Sequence, residues 1–406
     1  MKILFLTLVN MTDINEHNIY SDLLREIIKH GHDVYVVSPV ERRNKKKTHI
    51  ISGECVQILK PRIGNIQKAN LIEKGISTVM VGTVVKRSIA KYWKQIKFDL
   101  VLYSTPPITF TSPIEYIKKR DGAITYLMLK DIFPQNSIDI GLLSTKGVKG
   151  LIYRYFREKE KKLYCLSSRI GCMSPANVKY LLNNNPDIEP NKVDICPNSI
   201  EVIDHRLSEE QKLSLRKEYD LPADKITFVY GGNLGKPQDI PFVLECIEEC
   251  ENIENVYFVI VGDGTEYSKV EEFVFSGRTN NLKLIKYLPR EKFEFLVAAC
   301  DVGLVFLDHR FTIPNFPSRL LSYMQAGLPV LAATDANTDV GVFIEKNEFG
   351  WWCESNDKMK FKKKIFEAIE ANLEEKSKNA VRALNEFSVE KSYLDISHQI
   401  GLNTKK

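Results

Sequence analysis

The run Gly231-Gly232-Asn233-Leu234-Gly235-Lys236 joins an apolar stretch, ITFVY (226–230), to a helical one. Glycine lets the backbone approach a ligand closely and take positive φ. The helix that follows begins with unbonded N–H groups and a partial positive charge, which stabilise a nearby anion by about 0.3–1 kcal/mol. A phosphate cradle is one reading of such a turn; a purely structural strand-to-helix turn is the other. The pattern is neither the dinucleotide fingerprint GxGxxG nor the P-loop. Gly262-Asp263-Gly264 closes the next apolar stretch at the equivalent end. Here a tight turn with an Asp helix cap competes with direct ligand contact.

The densest chemistry lies in PNFPSRLLSYMQAGLPV (314–330). Pro317 and Ser318 open a helix, Arg319 falls in its first turn, and Gly327 ends it ahead of a buried strand. A cation in the first turn opposes the helix macrodipole, so helix stability does not explain Arg319. A guanidinium at this place can grip an anion bidentately, an inter-domain ion pair being the alternative. In the first half of the chain, Lys130-Asp131 ends the apolar stretch ITYLML (124–129), where Asp131 either faces a ligand or caps the helix ahead of Phe133-Pro134. His17 follows the first apolar stretch and reads as an acceptor-side group or an ordinary helix-start residue. Thr105, before Pro106-Pro107, is a candidate for shaping an acceptor groove. Eight cysteines are scattered with no CxxC pair and no histidine cluster at ligand spacing, which predicts reduced thiols, no disulfide framework and no metal site.

These residues need a scaffold. A chain of 406 residues suits two domains of roughly 200 residues each, and 44% hydrophobic with 27% charged residues is a soluble globular composition. ILFLTLV at the start, DVYVVSP (33–39), DLVLYSTPP (99–107), ITYLMLKDIFP (124–134), RIGCMSP (169–175) and KVDICPNSI (192–200) read as strands. A helix is expected near 17–30, with Leu23, Leu24, Ile27 and Ile28 on one face and Gly31 at its C-terminal cap. The rhythm restarts with strands at 226–235, 255–264, 281–289, 301–308 and 328–335, and helices near 238–250, 266–276, 290–299 and 317–326. Near-continuous apolar strands separated by helices mean parallel sheets covered on both faces. The expected fold is α/β, with two Rossmann-like, doubly wound domains facing each other across a cleft and ligands at the carboxyl ends of the strands. The first domain spans 1–200 and the second 201–380, and a C-terminal helix in 381–406 returns to the first.

The net charge of +5 hides a division. Residues 1–200 hold 31 Lys and Arg against 18 Asp and Glu, or +13, and the remainder holds 26 against 34, or −8. The loop Arg42-Arg43-Asn44-Lys45-Lys46-Lys47 is dense in positive charge. The stretch 68–97 mixes Ile72, Ile76, Val79, Met80, Val84, Val85, Ile89 and Trp93 with six Lys or Arg from Lys74 to Lys97. Such a segment either lies on an anionic leaflet, each basic residue adding about 1 kcal/mol, or is a core helix with a solvated basic face. The apolar N-terminus runs straight into Asn10, Thr12 and Asp13 with no cleavage site, so a buried first strand explains it better than a signal peptide. No apolar run approaches the roughly 20 residues of a membrane span. The basic loop lacks interleaved aromatics, so nucleic acid is not an expected partner. A cytoplasmic protein, peripheral at the inner face of the plasma membrane, fits these features.

The order GGNLG, VGDG, then FPSR followed by LLSYMQAGLPVLAATD resembles the GT-B glycosyltransferases of family 4. It is most similar to their bacterial capsule and O-antigen branch, which includes N-acetyl-L-fucosamine transferases. YSDLLR (20–25), LKDIFPQN (129–136), MSPAN (173–177) and PNS (197–199) are similar to that branch as well. The resemblance implies retaining transfer from a nucleotide-diphospho-sugar, without metal or other cofactor, with the acceptor on the first domain and the donor on the second. Many family members hold the diphosphate with an Arg and a Lys after the glycine turn; the matching positions here are Asn233 and Gln238, with Lys236 between them. The family's two glutamates, separated by seven residues, fall on Pro314 and Ser322. The expected catalytic set is Lys130, Asp131, Lys236 and Arg319. Donor contacts are expected from Gly231, Gly232, Asn233, Gln238, Asp263, Gly264, Pro317, Ser318 and Ser322, and acceptor contacts from His17 and Thr105. Bond cleavage leaves negative charge on the departing diphosphate, and removing one group that stabilises it costs on the order of 10²–10³ in rate.

The expected reaction moves an N-acetylated hexosamine or deoxyhexosamine from a UDP-sugar to an undecaprenyl-diphosphate-linked glycan. Two other readings compete. A nucleotide-sugar 2-epimerase would need acid/base carboxylates and histidines beside the sugar, and the sequence supplies few. A catalytically silent nucleotide- or glycan-binding partner in an assembly complex is favoured by the missing glutamate pair.

Overall fold

The computed structural model describes residues 1–66 and 71–402. The chain divides into two compact units, the first of Met1–Glu201 with Val389–Lys406 and the second of Val202–Ser388.

In the first unit the strands are β1 (Lys2–Leu6), β2 (Asp33–Val37), β3 (Val40–Glu41), β4 (His49–Ser52), β5 (Val56–Lys60), β6 (Arg62–Ile63), β7 (Leu100–Ser104), β8 (Ile124–Leu129), β9 (Arg169–Cys172) and β10 (Val193–Ile195). Eight of them form one sheet in the order β10-β9-β8-β7-β1-β2-β5-β4, and β3 pairs with β6 apart from it. All neighbours in the large sheet are parallel except the edge pair β4–β5. Every residue of β7 is buried, as are four of five in β1 and β2. That follows from helices covering both faces of a parallel sheet. The predicted first helix spans Ser21–Lys29, and Gly31 takes φ +79° and donates its N–H to the Ile28 carbonyl. The strands of residues 49–63 have no continuous apolar run and were not expected from the pattern.

In the second unit β11 (Ile226–Asn233), β12 (Val256–Asp263), β13 (Leu282–Ile285), β14 (Val302–Phe306), β15 (Val330–Thr334) and β16 (Gly350–Glu354) form an all-parallel sheet in the order β13-β12-β11-β14-β15-β16. Counted within the unit this is the order 3-2-1-4-5-6 of dinucleotide-binding folds. The chain leaves β11 in both directions, so the topological switch point lies at the carboxyl ends of β11 and β14. In the first unit it lies at the ends of β1 and β7. Crevices at such points are where ligands bind in these sheets.

The C-terminal return begins at Val389, later than the expected 381. The helices Lys358–Ile369 and Leu373–Leu384 stay with the second unit, and the first unit takes back the chain at Val389. Val389, Tyr393 and Ile396 of the last helix, Val389–Gln399, are spaced to share one face and are buried in the first unit's core. Each such side chain contributes about 1.5–3 kcal/mol by leaving water. Tyr393 stacks on His30 at 3.9 Å and its hydroxyl pairs with His32 Nε2 at 2.9 Å. Among the described residues no helix is long and apolar enough to cross a membrane.

Candidate functional site

At the second unit's switch point, the helix Arg319–Gln325 is pinned beneath the sheet by Tyr323. The Tyr323 hydroxyl accepts the Gly231 N–H at 3.0 Å and donates to the Leu304 carbonyl at 3.1 Å, so one phenol bridges β11 and β14. Burial pushes this phenol's pKa up, which keeps it a donor. Its ring lies where a side chain on residue 303 would stand, a Cβ there meeting it at 2.4 Å; hence Gly303.

Arg319 lies four residues before Tyr323 on the same helix face. Its guanidinium sits over the Tyr230 ring, 4.5 Å from the centroid, and 3.6 Å from where a Cβ on Gly232 would be. Nη1 is buried without a hydrogen-bond partner, and among the described residues no carboxylate pairs with the side chain. A buried donor left open is costly unless a ligand completes it. Gly232 itself takes φ +121°, which disfavours any side chain.

The two glycine turns are laced together. Leu234 donates its N–H to the Asp263 carbonyl and accepts from the Glu266 N–H, while a Cβ on Gly262 would stand 1.9 Å from the Gly232 oxygen. Only glycine permits that approach. A pocket of about 360 Å³ opens beside them, lined by Gly232, Asn233, Gly262, Asp263, Tyr287 and Phe293. Phe293 fills the space a Cβ on Gly231 would need. Lys236 is exposed and has no ion-pair partner among the described residues.

Several expected donor contacts take other roles. Gln238 is buried, and its Oε1 accepts from Asn233 Nδ2 and the Gly235 N–H, both at 3.2 Å; Asn233 and Gln238 thus brace the turn. No helix follows the glycine turn directly. A short 3-10 turn, Lys236–Gln238, intervenes, and the helix Ile240–Glu249 starts behind Asp239, whose backbone carbonyl accepts the Val243 N–H. In the Arg319 helix the Leu320 and Leu321 N–H groups bond the Pro317 and Ser318 carbonyls, so these donors are also used. Gly264 approaches the Leu234 backbone closely, the exposed Asp263 carboxylate accepts the Gly264 N–H, and Ser322 is half-buried on the helix.

The sequence pattern missed Tyr230, Tyr323 and the loop after β14. There Asp308 is buried and held by Arg310 through bidentate bonds, with His309 and Asp239 alongside. Burial raises the Asp308 carboxyl, but Arg310 more than offsets this and holds it below the usual range. The signal was present: Asp308-His309-Arg310 ends the buried stretch VGLVFL (302–307).

In the first unit, Lys130 and Asp131 do not present free charges. The Lys130 ammonium donates to the Cys196 and Pro197 carbonyls at 3.1 and 2.9 Å, and burial lowers its pKa. It ties the end of β8 to the chain beyond β10. The Asp131 carboxylate accepts from Asn136 Nδ2 at 2.9 Å on both oxygens, and burial pushes its pKa up to about 6 despite that bond. Thr105 is buried; its hydroxyl donates to the Asp131 carbonyl and accepts the Asp131 N–H. It therefore sets the Asp131 loop and lines no groove through its side chain. His17 sits elsewhere, in a charge network where Arg25 bonds Asp22, Glu201 and the Ile14 carbonyl and touches His17 Nδ1.

Among the described residues, potential metal-ligating groups converge at His17, Asp22 and Glu201 and at Asp239, Asp308 and His309. In each group a guanidinium, Arg25 or Arg310, already neutralises carboxylates.

The basic stretch is divided between core and surface. The helix Leu71–Tyr92 buries Val81, Val85 and Ile89, and Trp93 beyond it packs against Tyr35 and Phe98 with its Nε1 on Gln57. Residues 68–70 and the side chain of Ile72 lie outside the described residues. Ile76, Val79 and Met80 are exposed.

Two doubly wound parallel-sheet units, one with a glycine-lined carboxyl edge over an uncompensated guanidinium, define the GT-B class of fold. Residues 211–385 match the family model Glycosyl transferases group 1. The chain is 24% identical over 341 residues to the protein described as "Probable glycosyltransferase WbjE" of Pseudomonas aeruginosa, covering 80% of each chain. Among solved structures it superposes on sucrose-phosphate synthase from Thermosynechococcus elongatus with a TM-score of 0.76 and 14% identity, covering 98% of both chains. Anabaena HepE in complex with UDP-glucose gives a TM-score of 0.70 and 14% identity over 99% of both.

Proposed function

We propose that this protein is a retaining, metal-independent glycosyltransferase of family 4. It moves a sugar, an N-acetylated hexosamine or deoxyhexosamine, from a UDP-sugar to an undecaprenyl-diphosphate-linked glycan in surface-polysaccharide synthesis. The observation that carries this reading is Arg319: a buried guanidinium whose Nη1 has no hydrogen-bond partner among the described residues, beneath a glycine turn at a topological switch point. A diphosphate supplies the two features missing there, negative charge and acceptor oxygens in a plane that a guanidinium matches. As the glycosidic bond breaks, charge grows on that diphosphate, and Arg319 with the exposed ammonium of Lys236 stabilises it more in the transition state than in the ground state. Gly231, Gly232, Gly262 and Gly264 let the donor approach the backbone, and the pocket beside Tyr287 and Phe293 takes its base. Asp131, poised near pH 6, orients the acceptor hydroxyl. HepE, a structural neighbour, is described in complex with UDP-glucose, which favours uridine as the base. The protein works at the inner face of the plasma membrane, held there by its basic first unit.

A thermal-shift screen of UDP-, GDP- and TDP-sugars, followed by nucleotide release with and without lipid-linked acceptor, tests this. Stabilisation by a UDP-sugar with acceptor-dependent UDP release is expected. Epimerisation of the donor without acceptor would replace transfer by the epimerase reading, and binding with no release under any condition would leave a silent partner.

A further inference from the structure

Unit 1 has a second exposed apolar face that the donor and acceptor residues do not use. The helix Gly147–Leu166 buries little of its first two turns. Val148, Leu151 and Ile152 are 76%, 61% and 43% exposed, and Tyr155 continues the same stripe at the spacing i, i+3, i+4, i+7. Leu142, just before the helix, is exposed as well. Contiguous apolar surface of this kind on a soluble unit marks an interaction site.

Three observations place this stripe and the exposed Ile76, Val79 and Met80 at the same edge of unit 1. Both helices, Leu71–Tyr92 and Gly147–Leu166, pack on the same 3-10 turn, Ile108–Phe110, and the same helix, Thr111–Asp121. The approach to that turn is close, a Cβ on Gly82 meeting the Thr109 carbonyl at 2.3 Å. Each helix also ends where the next strand begins, so both N-terminal halves stand at the carboxyl edge of the sheet. The basic loop belongs to this edge too: Arg42 bonds Glu73 at 2.9 Å.

Cations predominate around the two stripes, with Glu73 next to the first and Glu158 next to the second. Residues 74–98 contain six Lys or Arg and 140–157 contain four, with no Asp or Glu in either segment. Lys146, Lys149 and Arg154 are exposed around the second stripe, and Lys159 lies 5.4 Å from the Tyr155 ring centroid. An apolar stripe between cations fits a surface that is apolar beneath and negative above. A protein partner would need an acidic rim around an apolar centre, and a second copy of this face would set cation against cation.

We infer that the stripe Val148-Leu151-Ile152-Tyr155 and the stripe Ile76-Val79-Met80 form one docking face that seats on an anionic phospholipid bilayer. The apolar side chains enter the headgroup boundary and the flanking lysines reach the phosphates. The inference deepens the acceptor half of the proposed function, since a lipid-linked acceptor is presented at such a surface, but it does not depend on donor turnover.

Flotation of the whole protein with vesicles tests it, using phosphatidylglycerol–phosphatidylcholine mixtures against phosphatidylcholine alone. The wild type is expected to float with the anionic vesicles only. The double variant Leu151→Glu/Ile152→Glu is expected to lose about tenfold or more of that partitioning. Val342→Glu, an equally exposed apolar site in the other unit, should retain it. Because the variant positions are on the surface, its melting temperature and its stabilisation by UDP stay those of the wild type. Equal flotation of wild type and double variant, or no flotation of the wild type, overturns the inference. So does a dimer in light scattering that the double variant converts to monomer, which would assign the face to a second copy. Absence of UDP stabilisation in every protein would count against the donor reading alone.

Discussion

Two arginines at the carboxyl edges of the two sheets meet opposite fates. Arg25 in the first unit is saturated: Asp22, Glu201 and a backbone carbonyl take its donors, and His17 packs beside it. Arg319 in the second unit has an aromatic face and a glycine turn for company and no carboxylate among the described residues. Lysines repeat the contrast. Lys60 and Lys130 are buried on carbonyl and side-chain oxygens, whereas Lys236 stands exposed at the glycine turn. A charge whose partners are all supplied by the protein holds structure. A charge left open under a turn that admits backbone contact waits for a ligand. The same fold is thus used once to brace a loop set and once to leave a site incomplete.

Breaking the open charge should have the largest effect. Arg319→Ala is expected to lower kcat/KM for UDP release by on the order of 10²–10³ while the melting temperature barely moves. Arg319→Lys should not recover it, because an ammonium cannot lie flat between Tyr230 and Gly232. If either variant keeps full activity, the contrast with Arg25 has no functional meaning. Gly262→Ala comes next. Its Cβ would meet the Gly232 oxygen at 1.9 Å, backbone against backbone. A loss of about 1–3 kcal/mol in the urea unfolding free energy is expected, together with weaker UDP binding.

The closed charges predict effects on stability and pH. Burial raises the Asp131 pKa from 3.8 to about 6, so between about pH 4 and 6 the folded state holds a proton the unfolded chain has lost. Stability therefore falls as pH rises through this window, by up to about 1.4 kcal/mol per unit for one such group. Asp131→Asn should remove that share of the slope and the acid limb near pH 6 in kcat/KM. Asp194, also raised to about 6 by burial, should keep its own share of the slope. An unchanged limb would give the acceptor role to another group. The smallest change is expected from His17→Ala. His17 is 44% exposed and peripheral to the Arg25 network, so stability should stay within about 0.5 kcal/mol and the acceptor KM should not move. A large rise in that KM would restore His17 to the acceptor side.

Much of this was legible in the chain. The βα rhythm fixes the sheets because continuous apolar runs can be buried only between two helical layers. The glycine turns announced themselves, and Arg319 stood out because it opposes its own helix dipole. Other expected contacts take structural roles for a single reason. Gln238, Thr105 and Lys130 have the chemistry of ligands, and in each case a neighbouring backbone group consumes it. Trp93 and Val85 looked like part of a membrane face because helical periodicity does not say which of two apolar stripes meets the sheet. Tyr230 and Tyr323 look like ordinary core aromatics in sequence, and their phenols matter only because of what lies opposite them.

The sequence by itself determined the class of fold, the order of the loops at the strand ends and the types of group those loops carry. These depend on local pattern: periodicity, glycine positions and the direction of a helix dipole. Only the tertiary structure decided which of those groups remain open. Arg25 is silenced by Glu201, 176 residues away, and Lys60 by Asn10, 50 residues away. Among the described residues Arg319 meets no such partner. Compensation of charge is a property of neighbours in space, and the chain does not state who those neighbours are until it has folded.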